Sequence, residues 1–75
     1  FNPITTIEYG IPQKSSILIE VYNIKGRLID KTVIAEKQAG YHIFTWDGTN
    51  QSSGIYLIRM KISDTIKNYR TMLIK

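Results

Sequence analysis

The chain has 75 residues, 43% hydrophobic and 21% charged, with ten Lys and Arg against six Asp and Glu for a net charge of +4. That length holds one domain, and that balance of apolar and charged residues argues against intrinsic disorder. With no cysteine there is no disulfide, thiolate metal site or thiol nucleophile, and so small a core leaves little room for a deep catalytic cleft.

The chain opens Phe1-Asn2-Pro3, with neither an initiating methionine nor a signal peptide. It is therefore expected to be a piece of a larger polypeptide, residues 1–75 forming one domain whose targeting information lies upstream. No run approaches the ~18 apolar residues of a membrane-crossing helix, so direct membrane insertion is not expected.

Period-2 alternation runs through the sequence. Thr5–Tyr9 is a weak strand candidate, closed by Gly10 and Pro12. In Ile17–Tyr22, Ile17, Ile19 and Val21 share one face, and Leu18, Glu20 and Tyr22 the other. Asn23-Ile24-Lys25-Gly26 predicts a type I turn with Gly26 in the left-handed region, joining this strand to an antiparallel one. That next segment, Leu28–Ala35, is again weak, its apolar residues being Leu28, Ile29, Val33 and Ile34.

Ala39-Gly40 opens a strand in which His42, Phe44 and Trp46 alternate with Tyr41, Ile43 and Thr45. The polar stretch from Asp47 to Gly54 predicts a loop. Tyr56, Ile58, Met60 and Ile62 then face away from Leu57, Arg59 and Lys61. Ser63-Asp64-Thr65 predicts a short loop, and Met72 and Ile74 alternate with Thr71, Leu73 and Lys75. No capped 3.6-residue stripe occurs, so no helix is expected. The expected fold is all-β: an immunoglobulin-like β-sandwich of six or seven antiparallel strands, centred on Trp46, Tyr56, Phe44 and Val21. Positive φ in turns is the expected reason for Gly26 and Gly48.

His42, Asp47 and Ser52 or Ser53 are the residue types of a hydrolytic triad, but a triad is defined by geometry. His42 shares a face with Phe44 and Trp46, and the serines sit in a turn that engages their hydroxyls. No catalytic residue is expected. The loop Asp47–Ser53 offers one carboxylate where calcium usually takes several, so neither metal nor cofactor is expected, and Asp47 should bond its own turn. Arg59, Lys61, Lys67, Arg70 and Lys75, with Tyr56 and Tyr69 between them, suggest a strand-binding platform, yet Tyr56 faces away from Arg59 and Lys61. Nucleic acid is not expected as a partner, and the lysines are better read as guards against edge-to-edge aggregation. Asn50-Gln51-Ser52 matches a glycosylation sequon, a weak signal.

Several segments taken in order carry a resemblance: Asn2-Pro3; Ile7-Glu8-Tyr9-Gly10-Ile11-Pro12; Ile19 to Arg27; Ala39-Gly40-Tyr41; Trp46-Asp47-Gly48; Ser53-Gly54-Ile55-Tyr56; and Thr71 to Lys75. Together they resemble the type A C-terminal sorting domain of proteins exported by the type IX secretion system of Bacteroidetes. The part from Gly40 through Tyr56 is also similar to the immunoglobulin-like domain of flagellar hook-capping proteins.

The resemblance implies a module that directs an attached upstream cargo protein across the outer membrane. Its partners would be the outer-membrane secretion machinery and a sortase-like peptidase that cuts upstream of the domain. Its location would be secreted or cell-surface, after transit through the periplasm. Recognition would rest on Gly54, Tyr56, Met72, Leu73, Ile74 and Lys75, with Asn2, Pro3, Gly26, Gly40, Trp46, Asp47 and Gly48 as structural turns and core. Asn23 stands where that family often has Asp, and either residue caps the turn. A free final strand would present its edge for strand addition. The alternative is a structural or carbohydrate-binding accessory domain beside an extracellular enzyme, through Tyr41 or Tyr69.

Overall fold

A computed structural model describes residues 3–74; the expectations for Asn2 and Lys75 lie outside the described residues. Six strands follow in order: β1 (Ile4–Ile11), β2 (Ser15–Asn23), β3 (Leu28–Lys37), β4 (Gly40–Asp47), β5 (Gly54–Ile62) and β6 (Thr65–Leu73). They form two antiparallel sheets, one of order β1-β4 and one of order β3-β2-β5-β6. The result is a two-layer β-sandwich.

Alternation explains why these segments stack. Ile17, Ile19 and Val21 of β2 and Tyr56, Ile58, Met60 and Ile62 of β5 line the inner face of the larger sheet and are buried. Tyr9, Ile11 and Trp46 close over them from the smaller sheet, and Leu73 completes the core from β6. Phe44 is half-buried rather than central: paired with Ile7 in the two-stranded sheet, it packs against the buried cluster without being enclosed by it.

Three local expectations are corrected. Gly10 does not close β1 but lies inside it, paired with Tyr41, and the strand runs on to Ile11. Only Ser63 and Asp64 form the last turn, because Thr65 already pairs with Ile62; Ser63 takes φ 50°, as a tight hairpin turn requires. Gly48 is not at positive φ. A Cβ there would lie 3.1 Å from the Leu73 Cδ2 and 3.4 Å from the Trp46 ring, so glycine answers to close packing.

The turn after β2 forms as expected. Gly26 has φ 82°, and its N–H donates to the Asn23 carbonyl at 2.9 Å. The Asn23 Oδ1 accepts from the N–H groups of Lys25 at 3.0 Å and Arg27 at 2.9 Å, the capping role that either Asn or Asp can fill.

Candidate functional site

Most of the residues singled out by the sequence meet at one end of the sandwich. Gly54 pairs with Leu73 across β5 and β6, and Tyr56 pairs with Asn23 across β5 and β2. The Trp46 and Tyr56 rings lie 5.0 Å apart, tilted by 53°, a favourable aromatic arrangement. The Gly48 N–H donates to the Pro3 carbonyl at 2.8 Å, tying the entry of the fold to the loop after β4. Gly40 stands apart, at the opposite end of β4, opposite Ile11.

The loop between β4 and β5 is held from within. The Asp47 carboxylate accepts from the Thr49 N–H at 2.9 Å and from the Thr49 hydroxyl. The Gln51 N–H donates to the Gly48 carbonyl at 2.9 Å, and the Tyr56 hydroxyl to the Ser52 carbonyl at 2.5 Å. A tyrosine bonding back to the chain just upstream of its own strand is a corner lock seen in immunoglobulin-like sandwiches. The carboxylate of Asp47 is thus engaged by its turn, and no group of three or more metal-ligating side chains occurs among the described residues.

Beside this corner, the 23–27 turn and residues 51–56 enclose a shallow depression of about 320 Å³, with Lys25 and Arg27 on its rim. From it β6 runs away along the sheet edge. Leu73 is 1% exposed and anchors the strand, whereas Met72 and Ile74 are 52% and 58% exposed. The Leu73 side chain therefore offers no surface of its own and holds β6 in place. β6 pairs with β5 over nine consecutive positions without a bulge, and among the described residues no strand lies on its other side. The opposite edge, β3, carries two bulges, which twist and blunt it. Sequence reading missed this contrast, because bulges leave only a change of phase in an already weak pattern.

The triad residue types are not brought together. His42 and Asp47 stand five positions apart on one extended strand, so their side chains leave opposite faces, roughly 17 Å apart along it. His42 packs 5.7 Å from the Tyr9 ring, and its Nε2 meets the Gln38 carbonyl at 2.6 Å. Arg59, Lys61 and Arg70 lie on the outer face; Lys67 is on the inner register opposite Met60, yet exposed. Tyr41 is 92% exposed and Tyr69 half-buried.

Compared with known families, residues 4–65 match the family model of the FlgD Ig-like domain. No match was found among curated proteins. The matched span takes in β1 to β5 and stops at the first residue of β6.

Proposed function

The chain belongs to the family of FlgD Ig-like domains, and we propose that this member is a non-catalytic sorting module of the type IX kind, read through its β6 edge. It marks an attached cargo for passage from the periplasm across the outer membrane, where a sortase-like peptidase removes it. The observation that carries this reading is the uninterrupted nine-residue β6, open on one side among the described residues and pinned at its end by Leu73.

A translocon that accepts many unrelated cargos needs a handle independent of cargo chemistry. A rigid sandwich with a regular β6 edge supplies backbone donors and acceptors for strand addition, and alternate side chains for selectivity. Gly54 and Tyr56 serve this by geometry: one faces Leu73 across the ladder, the other locks the corner on which β6 ends. Of the segments that resemble the type A sorting domain, the 23–27 turn, Trp46-Asp47-Gly48, Ser53 to Tyr56 and the end of β6 lie at that same corner, which favours one recognition unit, whereas Ile11 and Gly40-Tyr41 lie at the opposite end.

The test is to fuse residues 1–75 to a periplasmic reporter in a host with this machinery. Surface delivery is expected for the parent fusion. A folded reporter kept in the periplasm overturns the reading, and glycan binding abolished by Tyr41→Ala would replace it with the accessory-domain one.

A further inference from the structure

Resting on the edge-recognition reading above, we infer that the partner of β6 is an extended acidic segment of another protein, with two carboxylates spaced three residues apart. The first support is charge. From Thr65 to Leu73 the strand holds Lys67 and Arg70, both exposed, and no carboxylate. The bulged β3 edge instead mixes Asp30, Lys31, Glu36 and Lys37. A second copy of this chain is a poor occupant of the β6 edge, since an antiparallel β6 pair gathers four cations into one ribbon, and like charges across strands repel.

Spacing supplies the rest. Lys67 pairs with Met60 on the inner face and Arg70 with Leu57 on the outer face. Strand side chains alternate, so one added strand meets both cations only if its carboxylates lie an odd number of residues apart. Register makes that number three. In an antiparallel partner with one carboxylate opposite Arg70, the next residue meets half-buried Tyr69 and should be apolar. The residue after the second carboxylate meets Ile66, and the one two before the first meets Met72, 46% and 52% exposed on the outer face. The predicted pattern is apolar-x-acid-apolar-x-acid-apolar.

The experiment titrates the 15N-labelled 75-residue chain with the peptide Ile-Thr-Glu-Val-Thr-Glu-Ile, blocked at both ends. A control peptide carries its two glutamates two residues apart. Amide shifts and new exchange protection are expected along β6, with the control binding more weakly. Lys67→Glu combined with Arg70→Glu, both at exposed positions, should keep the amide spectrum of the fold and weaken the acidic peptide roughly tenfold. Equal affinity for the two peptides, shifts confined to other strands, unchanged affinity in the double variant, or self-association of the unliganded chain through β6 would each overturn the inference. Peptide selectivity without export of the parent fusion counts against the sorting reading alone; export without peptide selectivity counts against the acidic partner alone.

Discussion

The phenolic hydroxyl of Tyr56 donates to the Ser52 carbonyl 2.5 Å away, closing the loop between β4 and β5 onto the strand that follows it. Because the same ring packs on Trp46, the loop, the core and the start of β5 are tied through one side chain. From Gly54 at that start, the ladder leads directly to Leu73 and the end of β6.

Tyr56→Phe should leave the ring packing intact and orphan the Ser52 carbonyl. Losing one such bond costs about 1–2 kcal/mol, which in a domain of this size lowers Tm by roughly 4–8 °C per kcal/mol. Thermal and urea unfolding followed by circular dichroism measure it. An unchanged urea midpoint would show that the hydroxyl does not brace the corner.

Gly48→Ala forces a methyl against Leu73, which is buried and has little room to yield. Overpacking of this sort costs about 1–3 kcal/mol. The pair Gly48→Ala with Leu73→Val should be less destabilised than the sum of the two single variants, since shortening Leu73 relieves the contact. Strict additivity in a double-mutant cycle would refute that contact.

Leu73→Ala should cost about 2–5 kcal/mol, enough to unfold a marginal domain of this length, whereas Met72→Ser and Ile74→Ser should each stay within about 0.5 kcal/mol. Urea unfolding compares the three. The consequence for export assays is direct: deleting residues 72–75 removes a core side chain along with the strand end, so loss of export then reports unfolding as much as recognition. Substitutions at Met72 and Arg70 separate the two.

Stability should fall above pH 10. Burial raises the Tyr9 phenol above its ordinary value of 10.0. Desolvation raises that of Tyr22, aided by the hydrogen bond and charge of Glu20 and opposed by Arg59. The unfolded chain therefore releases these protons at lower pH than the folded one, so the stabilisation is complete below pH 10 and is lost as pH climbs through the folded values. Urea midpoints from pH 8 to 11.5 should show the fall, and Tyr9→Phe should make it shallower. An identical alkaline profile in Tyr9→Phe would rule out its contribution.

Strand existence was legible wherever one face is buried without interruption. Ile17–Tyr22 and Tyr56–Ile62 alternate cleanly because β2 and β5 lie in the middle of the larger sheet. β3 was faint for a physical reason: its inward residues Ile29, Thr32, Ile34 and Lys37 are spaced three, two and three apart, since each bulge inserts one residue and shifts the phase. The Asn23 turn was readable because its hydrogen bonds are local. Gly48 was misread because its neighbour Leu73 is 25 positions away, and no local pattern encodes that approach.

The amino-acid sequence by itself determined an all-β chain, the faces its strands bury and the turns that separate them, because alternation and turn chemistry act between near neighbours. Only the tertiary structure decided that β1 joins β4 while β2 joins β5, that Leu73 is core and Met72 surface, and that β6 rather than β3 is the regular edge of the larger sheet. Those outcomes depend on contacts between residues far apart in the chain, whose packing is settled only when the two sheets close on one another.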